Sequence, residues 1–211
     1  MANSEGAAPD RPQIYLITPP ELELSRFPAD LARLLDAHEV ACVRLALSSH
    51  DETEVSRAAD ACREVTHARD VALVIETHFV LADRLGLDGV HLLDGARQVR
   101  AARKTLGPDA IVGSFCGTSR HDGISAGEAG ADYVSFGPAG VQALGDGSQA
   151  EAELFSWWTE MIEIPVVAEG ALDINYVAEL TDMTDFFGIG AEIWNSDDPV
   201  VTLSDLTAAM G

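Results

Sequence analysis

The chain has 211 residues, with 13 lysines and arginines against 35 aspartates and glutamates, and a formal net charge of −22. That length suits a single domain with one sizeable core, as in α/β barrels of about 200–250 residues. So acidic a surface repels nucleic acid and anionic membrane, and no apolar run approaches the roughly 18 residues that span a bilayer, so neither is expected as a partner.

Residues 1–12 are polar and rich in Gly, Ala and Pro. They lack the basic-then-apolar layout of a signal peptide and read as a flexible N-terminal tail ahead of one domain over 13–211. Strand patterns follow at Gln13–Thr18, Ala41–Leu47, Val71–Glu76, Gly89–Leu92, Ile111–Cys116, Tyr133–Gly137, Val166–Glu169 and Phe186–Gly190. Most are near-continuous apolar runs, as expected of strands covered on both faces. Amphipathic stretches alternate with them: Leu31, Leu34 and Leu35 form one helical stripe, and Val55, Ala58, Ala59 and Cys62 another. Ser49 or Asp51 can cap the second helix, and a last helix starts near Asp198. Eight strand-then-helix units argue for an α/β fold of the (β/α)8 TIM barrel type, with a doubly wound open sheet as the rival. Residues 139–150 are the best loop candidate, either a flap over the barrel mouth or a plain surface loop. Cys42, Cys62 and Cys116 show no metal-ligand spacing and read as reduced thiols, which points to the cytoplasm.

In such a barrel the chemistry sits at the C-terminal strand ends. The seventh and eighth strands both stop at glycine and then turn into a helical pattern, at Gly170-Ala171 and Gly190-Ala191. Those backbone N–H groups are the expected phosphate cup; the alternative is that the glycines only permit tight turns. Glu169 and Glu76 end apolar strands, and can hold a metal, share a proton or pair with a cation such as Arg44. Arg44 and Arg120 are phosphate-fork candidates, with plain ion pairs as the alternative. His78 and His121 are acid/base candidates, whereas His91 reads as a core histidine. Ser114, Cys116 and Gly137 also lie at strand ends and join the expected substrate-binding set. Cys116 has no base fixed beside it by sequence, so nucleophilic catalysis is not its expected role.

Several runs in order resemble the thiamine phosphate synthase family, which includes a thiazole tautomerase branch. They are Tyr15-Leu16-Ile17-Thr18, Leu85 through Leu92, Glu128 through Val134 with Gly137-Pro138, Pro165-Val166-Val167-Ala168 before Gly170, and Ala191-Glu192-Ile193 ahead of Asp197-Asp198-Pro199. The resemblance implies a (β/α)8 barrel that joins an aminopyrimidine pyrophosphate to a thiazole phosphate and releases pyrophosphate with Mg²⁺. It implies a phosphorylated small-molecule ligand at Gly170, Ala171, Gly190 and Ala191, and leaves a homodimer open. The family pattern Gln-x-Arg-Glu-Lys after strand two reads Arg44-Leu45-Ala46-Leu47-Ser48 here, and its Asn-Asp after strand three reads Glu76-Thr77. Asp94 lies close to the family's second Mg²⁺ carboxylate, and Lys104 is the only lysine. Two other readings therefore accompany the synthase: a phosphate-ligand-binding or regulatory barrel without the transfer, and a tautomerase-like proton-transfer enzyme.

Overall fold

The computed structural model describes residues 11–140 and 148–211. Eight parallel strands close on themselves in sequence order: β1 (Gln13–Ile17), β2 (Val40–Leu45), β3 (Ala72–Glu76), β4 (Gly89–Leu92), β5 (Ile111–Phe115), β6 (Tyr133–Phe136), β7 (Val166–Glu169) and β8 (Phe186–Ile189), with β8 pairing back onto β1. The helices around them are α1 (Phe27–Ala37), α2 (Glu52–His67), α3 (Phe79–Leu85), α4 (Val99–Leu106), α5 (Arg120–Ala129), α6 (Ala152–Met161), α7 (Ile174–Leu180), α8 (Ala191–Trp194) and α9 (Pro199–Ala208). The closed barrel, and not the open sheet, is the fold. Strand two is shorter than expected, because Ala46 has left the ladder and its N–H donates to the Thr18 hydroxyl at 3.0 Å. Of the expected tail only Arg11 and Pro12 are among the described residues, as are both flanks of the loop expected over 139–150 but not its centre.

Caps follow sequence logic. Asp51, not Ser49, caps α2, accepting from the N–H groups of Thr53 and Glu54, while the Ser49 hydroxyl donates to Glu54 at 2.6 Å. Asp198 accepts from Val200 N and starts α9. A second device recurs at the N-terminal face of the barrel. An aspartate just before β4, β6 or β8 accepts the N–H of the strand before it: Asp88 from Leu73 at 2.7 Å, Asp132 from Val112 at 2.7 Å, and Asp185 from Val166 at 2.8 Å. Each carboxylate replaces a ladder partner that a strand end lacks, and so ties neighbouring strands.

Strand alternation divides the core. Residues such as Leu16, Val43, Leu73, Val90, Val112, Val134 and Phe187 face the helices and form the main apolar layer. Tyr15, Cys42, Val74, Tyr133 and Val167 fill the barrel interior. Room for Tyr133 depends on Gly113, where an added Cβ would lie 1.9 Å from the tyrosine ring. Gly113→Ala is therefore expected to destabilise the fold by about 1–3 kcal/mol through overpacking. Urea unfolding of the variant checks this; an unchanged midpoint would refute the packing account.

Candidate active site at the barrel mouth

The inward positions just above the aromatic interior are polar. Arg44 on β2 is 4% exposed, yet carries a full charge. Its guanidinium makes two bonds to Glu169 of β7, Nη1 to Oε2 at 2.8 Å and Nη2 to Oε1 at 3.2 Å. Its Nε lies 3.2 Å from Glu76 Oε1 of β3, a charge contact without hydrogen-bond alignment. The guanidinium carbon sits 5.7 Å from the centre of the Tyr15 ring. Burial works against the charge, but the Glu169 carboxylate, with Tyr15 and Glu76, holds the Arg44 pKa above its ordinary value. Burial pushes Glu76 up, Arg44 pulls it down and Glu169 pushes it up again, so Glu76 titrates above the ordinary glutamate range.

Beneath this triad a neutral relay crosses the barrel. His91 Nδ1 meets Tyr133 Oη at 2.9 Å, and Tyr133 Oη meets Tyr15 Oη at 2.6 Å. Burial drives the His91 pKa well below, and both tyrosine pKa values well above, their usual ranges, so all three are uncharged at neutral pH. His91 is the core histidine expected, though its buried Nε2 has no hydrogen-bond partner, as is also true of Ser135 Oγ.

Most of the remaining expected side chains lie apart from the Arg44 group, although Gly137 packs against Glu169. Ser114 is fully buried and donates to Gly95 O at 3.0 Å, which places it on the helix-facing side of β5. Cys116 is buried with its thiol pushed up to about 11 by burial, which makes it a poor nucleophile. Arg120 stacks over Trp157 at 4.7 Å and pairs with Glu153 at 3.3 Å, so it belongs to the α5–α6 surface. His121 is exposed on α5, and His78 is half-buried at the start of α3. No hydrogen bond joins His78, His121 and Glu169 among the described residues. Asp94 Oδ2 accepts from Gln98 at 2.9 Å, while its Oδ1 is buried without a partner. Gly137 packs against Glu169, where an added Cβ would meet the Glu169 carbonyl oxygen at 2.4 Å.

The loops after β7 and β8 form the other side of the mouth. Gly170 and Ala171 both adopt positive φ, 86° and 55°, which turns this loop sharply over the strand end. Gly140 N donates to Gly170 O at 3.0 Å and Ala139 N to Glu169 O at 2.8 Å, so the chain leaving β6 docks on the same rim. Ala150 N returns to Pro138 O at 2.8 Å. The N–H groups of Leu172, after β7, and Gly190, after β8, both donate to the Glu192 carboxylate, to Oε1 at 3.2 Å and to Oε2 at 2.8 Å. The rim of the expected cup thus holds an anion supplied by the chain. Glu192 and Leu172 were not among the expected site residues. The only hint was a carboxylate placed two residues past the glycine that ends β8.

A family model described as thiamine monophosphate synthase matches residues 14–188. The chain is 38% identical over 203 residues to the thiamine-phosphate synthase of Rhodospirillum centenum, covering 94% of this chain and 97% of that one. It is 36% identical to the thiamine-phosphate synthase of Erythrobacter litoralis, over 88% of this chain and 90% of the relative. The solved structure of a thiamine phosphate pyrophosphorylase from Pyrococcus furiosus superposes with a TM-score of 0.81 at 19% identity, covering 94% of this chain and 95% of that one, which is a likeness of fold.

Removing the Arg44 charge leaves two carboxylates facing each other in a site where the arginine side chain is 5% exposed. Arg44→Met is expected to cost about 3–5 kcal/mol at pH 7. Because Glu76 is already pushed up by burial and loses its cation in the variant, its folded-state pKa lies above its unfolded value. Such a group costs stability above its folded pKa and nothing below its unfolded one, so the deficit should shrink as pH falls towards the ordinary carboxylate range. Urea unfolding of both proteins at pH 7 and pH 5 checks this; an equal deficit at both would contradict it.

Proposed function

This chain belongs to the thiamine monophosphate synthase family, and on that premise we propose that it joins an aminopyrimidine pyrophosphate to a thiazole phosphate and releases pyrophosphate. Family and relatives place it in thiamine biosynthesis. The observation that carries the ligand part of this reading is the pair of N–H groups, Leu172 and Gly190, that already hold a carboxylate between the loops after β7 and β8. That is the barrel position at which phosphate is commonly held by backbone. The thiazole phosphate would be held there beside Gly170, Ala171 and Ala191.

Leaving pyrophosphate gathers negative charge, which a cation must offset. Arg44 is a buried cation at this mouth, but Glu169 and Glu76 already neutralise it. Its role is to hold those two carboxylates at fixed positions above Tyr15. Mg²⁺ bound mainly through substrate phosphates would supply the missing positive charge. Asp94 fits it as a protein ligand, because one of its carboxylate oxygens is buried without a partner. Glu76 and Glu169 fit less well, since both face Arg44. Among the described residues no group of three or more His, Cys, Asp or Glu side chains is placed to hold a metal ion. The three cysteines are free and buried, in keeping with a reducing cytoplasm. No helix among the described residues is long and apolar enough to cross a membrane.

The committed Arg44 also favours a second reading, in which the same barrel binds a phosphorylated ligand without the transfer. Lys104, the only lysine, is exposed in the last turn of α4 and does not replace the lost cations. Incubation of the purified protein with both substrates and Mg²⁺ separates the two. Thiamine phosphate and pyrophosphate should form in equal amounts; no product above background would overturn the synthase in favour of the binding barrel.

A further inference from the structure

The Glu192 carboxylate lies where a ligand anion would have to lie. Its two oxygens take one N–H from each of the two loops that build the rim, Leu172 from the β7 side and Gly190 from the β8 side. Leu172 is 4% exposed and Gly190 is buried, and in this shape of the loops both N–H groups have Glu192 as their acceptor. The bond to Gly190 is local, two residues away, whereas the bond to Leu172 spans 20 residues and joins separate loops. Glu192 itself is only half-buried, so its side chain has a route to solvent and can leave the two N–H groups open to another anion. Among the described residues no lysine or arginine forms an ion pair with Glu192, so the backbone dipoles are what hold this charge.

From this we infer that Glu192 is the specificity-determining residue of the cup, an internal carboxylate that competes with the ligand phosphate for the same two N–H groups. A phosphate can reach Leu172 N and Gly190 N only when the carboxylate has rotated out. Two anions on one pair of donors repel each other, and phosphate has no charge advantage in a chain of net charge −22. Wild-type affinity for a phosphorylated ligand is therefore lowered by the free energy of displacing Glu192. A neutral ligand that leaves the rim untouched meets no such cost. The cup thus discriminates against phosphate monoesters that bring no further contacts, and admits one whose heterocycle binds elsewhere in the mouth.

The inference rests on the phosphate reading of the rim, and its test separates the two. Isothermal titration of thiazole phosphate, and of the thiazole alcohol lacking phosphate, is carried out on the wild type, Glu192→Ala and Glu192→Gln. Thermal melts confirm that each variant is folded, and the isosteric glutamine keeps one acceptor for the rim should the alanine loosen it. Both variants are expected to bind thiazole phosphate about tenfold more tightly than the wild type, with the alcohol unchanged. Equal affinity across the three proteins, weaker binding by the variants, or the same gain for the alcohol would each overturn the role of Glu192. If no protein binds thiazole phosphate, the phosphate cup itself is wrong and this inference falls with it. Tighter binding by the variants, alongside a wild type that forms no thiamine phosphate, would leave Glu192 as assigned and remove only the transferase reading.

Discussion

A guanidinium inside a closed barrel is the constraint on which the mouth is built. Arg44 sits on β2 at an inward position, so it cannot reach bulk water, and its charge must be met from other strands. Glu169 on β7 and Glu76 on β3 meet it. The three side chains therefore fix one another across the barrel axis. A buried pair of this kind adds little net stability over an apolar core, yet breaking it leaves an uncompensated charge. Once Arg44 is present, both glutamates are committed to it.

That commitment shapes the rest of the site. The layer beneath it is neutral, because His91, Tyr133 and Tyr15 are too deeply buried to ionise. The opposite rim meets its own buried N–H groups with Glu192. Two places where an anionic ligand would look for positive charge are therefore already answered by carboxylates of the chain. Backbone donors carry a partial positive charge that does not depend on pH, and at this rim the chain's own Glu192 has taken it.

Much of the fold was legible in the sequence because its signals are local. Gly130-Ala131-Asp132-Tyr133 shows why. The glycine ends α5 in a left-handed conformation, the alanine is buried, the aspartate accepts from β5, and the tyrosine enters the barrel. Each role follows from a residue's own chemistry and its place beside a strand. Strand two read too long because Ala46 and Leu47 are as apolar as the residues before them, and only the Thr18 hydroxyl decides where the ladder stops.

The site was less legible, because its bonds join distant parts of the chain. Sequence alone determined the alternation of eight strands with helices, the strand-end glycines, and the fact that Arg44, Glu76 and Glu169 lie on or at the ends of strands; closure of the sheet into a barrel came from the structure. The sequence left open whether Arg44 binds ligand or carboxylate, and gave Arg120 the same standing. Tertiary structure decided both: Arg44 turns inward to residues 32 and 125 positions away in sequence, while Arg120 turns outward to Trp157 and Glu153. It also brought Glu192 to the N–H of Leu172. A side chain's partner depends on which face of the barrel its strand presents and how the strands stagger, and neither is set by the neighbours it has along the chain.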